Sequence, residues 1–214
     1  MSGFPSNPWP FSIRQFRRLE TLGPETSQAL SKAAHELGIP VLDVPVSGST
    51  PAAEAGALTL FGGGDRQSFE NASPIFAAIA KQWFYMGRSG SGVAMKLVVN
   101  TLLGLGMQAV AEAAALGQKL GLPREALFET LAKTAVVAPA LAGKLGSARQ
   151  NDYAPQFPVR LMSKDFGLIL AAAAQLELSM PATERAAAVS SAEAATGGEE
   201  DFSAVIRRME LQEA

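Results

Sequence analysis

An apolar run from position 97 to 118 constrains the fold more than any other part of the chain. It is long enough to suggest a membrane span, but Asn100 and Glu112 interrupt it, and a carboxylate in mid-bilayer would be costly. The sequence therefore predicts a helix over about 92–120 that is apolar on nearly all sides and buried centrally in a water-soluble protein, without a membrane partner.

The rest of the second half is also expected to be helical. The 3.6-residue pattern and the Pro and Gly stops predict helices near 124–134, 161–177, 181–196 and 201–211. An irregular stretch rich in Ala and Gly is expected to lie between the first two of these, up to about residue 156. No convincing strand follows Gly90, so this half is predicted to be all-helical.

The first half has a different pattern. "GPETSQALSKAAHELGIP" predicts a helix, and "VLDVPV", "GALTLFGGGD" and "WFYMG" predict strands, with a helix over roughly 66–82 that Asp65 can cap. This order is typical of the end of an α/β domain. We expect an irregular segment at 1–18, an α/β part at 19–88 and a helical part at 89–214, which makes the fold mainly α.

Charge and residue counts exclude several classes of function. A net charge of -2 gives no basic field that would recruit nucleic acid. The chain has no cysteine and a single histidine, His35, so thiolate sites, histidine metal clusters and an easy catalytic triad are not expected. A reducing, cytoplasmic location fits the absence of cysteine, and Arg14, Arg17 and Arg18 leave a mitochondrial targeting segment as the minority alternative.

Lys96 and Asn100 form the first candidate site. They are four residues apart and therefore share one face of the predicted helix. An apolar setting favours the neutral form of a lysine, which suits proton transfer, and an asparagine can orient a hydroxyl without adding charge. The alternative is a lysine that extends to solvent near the helix start, and this pair alone favours that alternative.

Two glycine-containing loops and one charged pair are further candidates. "PVSGS", residues 45–49, follows a strand and can present N–H groups and hydroxyls to a carboxylate or phosphate, although its spacing alone favours a plain turn. The glycines at 62–64 lack the ending of a phosphate-binding P-loop and favour a turn before a helix cap. Lys164 and Asp165 precede an apolar run, where an ordinary charged helical turn is the simpler interpretation.

Three ordered segments together resemble one family. "LDVPVSGSTPAAEAGALTLFGGGD", "GRSGSGVAMKLVVN" and "FPVRLMSKDFGLIL" are similar to segments of the β-hydroxyacid dehydrogenases, a family that includes 3-hydroxyisobutyrate dehydrogenase and is related to 6-phosphogluconate dehydrogenase. The resemblance runs over about 19–211. It implies an NAD(P)-dependent oxidoreductase of a small 3-hydroxy acid, with an all-helical C-terminal domain that forms homodimers or homotetramers.

The resemblance also implies roles for individual residues. Lys96 matches the catalytic lysine; the substrate would be bound by Ser47, Gly48, Ser49 and Asn100, and the cofactor, NAD or NADP, by Thr21, Lys164 and Asp165. Three positions depart from the family pattern. Ser49 stands where a second glycine is usual, Val99 where the first of two asparagines is usual, and Glu20 where a serine is usual.

The largest departure from the family is the lack of a dinucleotide fingerprint. No G-x-G-x-x-G turn occurs in residues 1–90. The resemblance therefore implies a truncated α/β (Rossmann) remnant ahead of the helical domain, with "VLDV" and "ALTLF" lacking strand neighbours and leaving an exposed apolar edge. We expect little or no activity from the isolated chain, since hydride transfer needs the dinucleotide held in place.

Two other interpretations stay open. The chain could be a non-catalytic oligomerisation or binding module that uses its long apolar helix. A relationship to imine reductases is weaker, because that neighbouring group usually has another residue in place of Lys96.

Overall fold

The computed structural model describes residues 22–211. In this range a small sheet with flanking helices precedes a larger helical part, so the predicted mainly α fold class is confirmed. The elements of the first part are α1 (Pro24–Glu36), β1 (Leu42–Asp43), β2 (Val46–Ser47), α2 (Thr50–Glu54), β3 (Leu58–Gly64), α3 (Arg66–Asn71), α4 (Ser73–Ile79) and β4 (Ala80–Gly87).

Strand β3 is the centre of the sheet. β1 and β2 pair with it in antiparallel fashion on one side, and β4 pairs with it in parallel fashion on the other. The predicted strand "VLDVPV" is divided at Pro45, which has no N–H to donate, although Phe61 N still donates to Pro45 O at 3.0 Å. The prediction that "VLDV" and "ALTLF" lack neighbours is wrong. Leu42 and Asp43 of the first segment pair with Gly64 and Gly63, and the second segment pairs with β2 on one side and β4 on the other.

The glycines of "FGGGD" lie inside β3 rather than in the predicted turn. Gly62 is packed against Phe69, where an added Cβ would lie only 2.0 Å from the Phe69 ring. Asp65 caps α3 as predicted and accepts from Ser68 N at 2.8 Å. The predicted single helix over 66–82 is wrong. Pro74 opens a second short helix, and the backbone is already extended at Ala80, where β4 begins.

The second part is helical. Its elements are α5 (Ser91–Lys119), α6 (Arg124–Ala132), α7 (Pro139–Arg149), α8 (Val159–Gln175), α9 (Pro181–Gly197) and, after a 3-10 turn at Phe202–Ala204, α10 (Val205–Glu210). The irregular stretch expected up to residue 156 is wrong over 139–149, where α7 forms. Its buried residues, Leu141, Lys144, Leu145 and Ala148, recur at helical spacing among exposed Ala and Gly.

Helix α5 is 29 residues long and packs against both parts of the chain. Met107, Ala111 and Ala114 on its inner face are buried in the main core. Its outer face is exposed, which corrects the expectation of burial on nearly all sides. The apolar residues exposed on this face and at its C-terminal cap, called the α5 stripe below, are Ala94, Val98, Leu102, Ala109, Ala113, Leu116 and Leu120. Glu112 is exposed among them. By length and composition α5 is long and apolar enough to cross a membrane, and 33% of an apolar 18-residue segment within it is buried inside the structure.

Helices α5 and α8 approach closely at Gly104. An added Cβ there would lie 2.4 Å from Phe166 Cζ and 2.8 Å from Met162 Sδ, and both side chains are almost completely buried. Neither can move away without opening the core, so the position requires a glycine although glycine is a poor helix former.

We expect Gly104→Ala to destabilise the protein by about 1–3 kcal/mol, because overpacking outweighs the gain in helix propensity. Gly143→Ala is the matched control, since nothing lies within 4 Å of a Cβ at that helical glycine; it should stabilise by about 0.5–1 kcal/mol. Urea denaturation gives both free energies of unfolding, and a neutral or stabilising Gly104→Ala would contradict the close approach.

Candidate functional site

A buried hydrogen bond between α5 and α8 lies at the centre of the candidate site. Asn100 is 0% exposed, and its Nδ2 donates to Asp165 Oδ2 at 2.6 Å. Asp165 is 1% exposed. A buried carboxylate is costly unless donors satisfy it, so this bond fixes the relative position of the two helices at the site.

The other side of the Asn100 amide has no partner. Its Oδ1 is buried and accepts no hydrogen bond within residues 22–211. The opposite amide orientation would direct oxygen at the Asp165 carboxylate, which is repulsive, so the assignment of Nδ2 to the carboxylate is physically fixed. A buried amide oxygen without a donor is rare in a folded protein, and it offers an acceptor to a bound molecule.

Lys96 lies one turn before Asn100 on α5 and is half-buried. Burial lowers the pKa of Lys96 below its ordinary value, and the nearby Lys164 ammonium lowers it further, while the Asp165 carboxylate acts in the opposite direction. The neutral amine is thus more accessible than in a solvated lysine, as proton transfer requires. The role of Lys96 as an acid/base residue stays a prediction.

Lys164 completes this group of polar side chains. Its Nζ lies 3.0 Å from Asp165 Oδ1, and its side chain is 34% exposed. The ammonium is close enough for an ion pair but is not aligned for a hydrogen bond to that oxygen. The structure thus brings together four of the predicted site residues, Lys96, Asn100, Lys164 and Asp165, from two segments that are far apart in sequence.

The predicted substrate loop lies at the end of β2. Gly48 has φ +132°, and an added Cβ would lie 2.8 Å from Leu58 Cδ2, so this position requires glycine. Ser49 has an ordinary φ of -91°, so a serine in place of the family's second glycine strains nothing. No hydrogen bond joins the hydroxyl of Ser47 or Ser49 to Lys96 or Asn100 in the described part of the chain. Thr21 lies outside the described residues.

Asp43 is a residue of this region that sequence reasoning missed. It is 9% exposed on β1, and its Oδ1 accepts from Gly90 N at 2.8 Å while its Oδ2 accepts from Val93 N at 3.0 Å. The carboxylate therefore caps the helix that carries Lys96. The available signal was an acidic residue inside the apolar strand "VLDV", because a carboxylate there must find donors elsewhere in the fold.

Comparison with known families agrees with the motifs. The family described as the NAD binding domain of 6-phosphogluconate dehydrogenase matches residues 18–87. The family described as NAD-binding of NADP-dependent 3-hydroxyisobutyrate dehydrogenase matches residues 90–209, more than half of the chain.

Individual proteins with similar sequences or structures belong to the same group as these family matches. The chain is 37% identical over 191 residues to the 2-(hydroxymethyl)glutarate dehydrogenase of Eubacterium barkeri, covering 88% of this chain and 64% of the relative. It is 36% identical over 194 residues to glyoxylate/succinic semialdehyde reductase 1 of Arabidopsis thaliana, covering 90% and 67%. The structure of Mycobacterium tuberculosis 3-hydroxyisobutyrate dehydrogenase with L-serine is similar with a TM-score of 0.80 and 31% identity, covering 88% and 67%.

These relatives are named as dehydrogenases or reductases of small acids. The chain belongs to the β-hydroxyacid dehydrogenase family, which confirms the resemblance found in its motifs. It spans about two thirds of the length of these relatives.

The described residues fit one end of a nicotinamide cofactor better than the other. Lys96 and Lys164 are partly exposed and can face the polar edge of a nicotinamide ring, while Asn100 behind them is 0% exposed and its Oδ1 has no donor in residues 22–211. The glycines at 62–64 do not fit the pyrophosphate, because Phe69, Asp43 and Leu42 fill the space beside them.

We expect Lys96→Met to raise the free energy of unfolding by about 0.5–2 kcal/mol at neutral pH. The folded pKa of Lys96 lies below the unfolded value of 10.5, so the unfolded state binds more protons between these two values. The cost of the buried ammonium is therefore fully present below the folded pKa and disappears above pH 10.5.

The stability difference between Lys96→Met and wild type should thus shrink as pH rises, which denaturation at several pH values measures. Lys133→Met is the control, because that lysine is 71% exposed and should change stability by at most about 0.5 kcal/mol. A Lys96→Met advantage that does not change with pH would contradict the lowered pKa.

Proposed function

We propose that this chain contributes the substrate site for NAD(P)-dependent oxidation of a small 3-hydroxy acid, and the reverse reduction of the corresponding semialdehyde. The observation that carries this proposal is the unpartnered, buried Asn100 Oδ1 one turn from a lysine whose pKa is lowered. An acceptor and a proton-transfer group at this spacing suit a molecule that carries a hydroxyl.

Lys96 would move the proton. When bound, the nicotinamide cofactor would supply the hydride acceptor for the carbon that carries the hydroxyl. The neutral Lys96 Nζ takes the hydroxyl proton, and the carbonyl product forms; in the reduction the ammonium returns the proton. Asn100 Oδ1 offers an acceptor to a donor group of the bound molecule, and Asp165 holds the Asn100 amide in place.

The loop at Ser47, Gly48 and Ser49 would bind the substrate carboxylate. Gly48 gives the backbone a conformation that other residues rarely adopt, and the flanking serines add hydroxyl donors. The names of the relatives support an acidic substrate, since 2-(hydroxymethyl)glutarate, glyoxylate and succinic semialdehyde all carry both a carboxylate and a hydroxyl or aldehyde group.

The affinity of the isolated chain for the dinucleotide cofactor is proposed to limit its activity. The sequence has no glycine-rich fingerprint in residues 1–90, so we propose low affinity for NAD and NADP and little turnover without an added dinucleotide-binding unit. Calorimetry with each cofactor at millimolar concentration tests this step, and saturable binding would contradict it. The cytoplasmic location and the absence of nucleic-acid and membrane partners stay predictions from composition.

We expect Lys96→Ala to lower turnover by about 10²–10⁴-fold, the usual contribution of a general acid or base. The assay is NAD(P)H formation from a panel of 3-hydroxy acids, in a fusion that supplies a family member's dinucleotide-binding unit ahead of residue 19. The wild-type oxidation rate should rise with pH through the lowered pKa of Lys96, because the neutral amine accepts the proton.

Lys133→Ala is the matched control, since it removes an exposed lysine on α6 and should leave turnover unchanged. If Lys96→Ala and Lys133→Ala have the same rate in an active fusion, the catalytic proposal is wrong. A folded fusion that binds cofactor but turns over no 3-hydroxy acid would favour the alternative of a non-catalytic binding module.

We further propose that the α5 stripe is covered by a second copy of the chain in a homodimer or homotetramer. The stripe residues are spaced three, four or seven apart, so they lie on one face of the helix. Val98, Leu102, Leu116 and Leu120 are 56%, 70%, 61% and 72% exposed, and an apolar face of this length is typical of an interface between subunits.

Leu102→Glu should shift the protein to a smaller species, because a carboxylate would be desolvated in such an interface. Analytical ultracentrifugation over a range of concentrations measures the state. Leu178→Glu changes an exposed leucine outside the stripe and should have no effect. A wild-type chain that stays monomeric at high concentration would exclude self-association.

A further inference from the structure

Asp43 is a buried carboxylate that the proposed chemistry does not use. Both of its oxygens accept backbone N–H groups at the start of α5, one from Gly90 and one from Val93. Gly90 has φ +88°, a conformation that lets the chain turn from β4 into the helix while its N–H still faces Asp43. The carboxylate also meets the positive end of the α5 dipole.

Glycine backbone encloses this carboxylate. A Cβ on Gly63 would lie 2.7 Å from Asp43 Oδ1, and a Cβ on Gly92 would lie 2.4 Å from Phe61 O and 2.5 Å from Asp43 O. Strand β3, strand β1 and the first turn of α5 are therefore in direct backbone contact around one side chain. The helix start cannot shift along the sheet without breaking the two hydrogen bonds.

Two halves of the candidate site meet at this contact. Lys96 is one helical turn beyond Gly92, and Ser47 is four residues beyond Asp43 on the same antiparallel ladder. We propose that Asp43 is a positioning residue that fixes the first turn of α5 to β1 and so sets Lys96 relative to the Ser47–Ser49 loop. The inference rests on the proposed function of Lys96.

The chemistry of the contact requires a carboxylate. Two N–H donors need two acceptor oxygens, and an aspartate supplies both. In Asp43→Asn one oxygen is replaced by an NH2 group that faces an N–H, so one donor loses its acceptor and one repulsive contact appears. The first turn should loosen, and Lys96 should become more hydrated.

The test compares Asp43→Asn with Asp65→Asn in the full chain. Asp65 also caps a helix, α3, but it is exposed and its carboxylate accepts from Ser68 of that helix, so Asp65→Asn measures the effect of losing a helix cap elsewhere in the fold. Amine acetylation is followed peptide by peptide across pH, with the exposed Lys81 as internal reference. Asp165 and Lys164 on α8, the charged groups that act on Lys96, are unchanged in both variants.

In Asp43→Asn the labelling midpoint of Lys96 should move upward toward that of Lys81, and its limiting rate should rise severalfold. Amide exchange at Gly90 and Val93 should become roughly tenfold faster or more, as expected when a hydrogen bond to a charged group is lost. Asp65→Asn should change none of these values. A folded Asp43→Asn with an unchanged Lys96 midpoint and rate would overturn the proposal.

The wild-type profile separates this inference from the proposed function. If the acetylation midpoint of Lys96 in the wild type equals that of Lys81, the acid/base proposal is wrong but the positioning role is still testable. A higher limiting acetylation rate of Lys96 in Asp43→Asn would then support positioning, and an unchanged rate would overturn it. If Asp43→Asn does not fold, carbon-detected NMR of the wild type decides. A Lys96 Cε resonance that moves with the Asp43 carboxyl supports positioning, and one that follows only the Asp165 carboxyl overturns it.

Discussion

Burial of the Asp43 carboxylate determines how the sheet and the helical part meet. A carboxylate at 9% exposure is tolerated only if its oxygens are satisfied, and here two N–H groups at the start of α5 satisfy them. Because the donors are backbone groups, β1 and β3 must approach the helix very closely. Gly63 and Gly92 permit that approach, so one electrostatic requirement explains two glycines that are far apart in sequence.

A second close approach forms the chemical part of the site. Gly104 lets Phe166 and Met162 of α8 pack directly on the α5 backbone. Asp165 is the neighbour of Phe166, and Asn100 is one turn before Gly104, so the same crossing places the carboxylate within 2.6 Å of the amide. The geometry of the Asn100–Asp165 pair is therefore a consequence of core packing.

Periodicity and local stop signals were sufficient to predict α5 and the shared face of Lys96 and Asn100, because those features depend on residues within a few positions. Helix α7 was missed because its Ala and Gly residues resemble a loop unless the buried Leu141 and Leu145 are recognised as one face. The Asn100–Asp165 bond joins residues 65 positions apart, and the capping role of Asp43 depends on a similarly distant contact. Such pairings follow from tertiary packing, which the spacing of a single sequence does not contain.

The buried polar groups of the fold differ in how completely they are satisfied. Asp201 forms an ion pair with Lys144 of α7 at 2.6 Å and also accepts from the backbone N–H groups of Gln156 and Phe157, just before α8. These contacts satisfy its carboxylate and hold α7 near the start of α8. At the candidate site, by contrast, Asn100 Oδ1 has no donor in residues 22–211. Asp165 Oδ1 accepts no hydrogen bond there either, but the Lys164 ammonium forms an ion pair with it at 3.0 Å. A buried amide oxygen costs free energy when it is left without a donor, and Asn100 Oδ1 lies near the lysine whose pKa is lowered. The Asp201 network shows that this fold can satisfy buried polar groups completely, so the open acceptor at Asn100 is the observation on which the proposed substrate site rests.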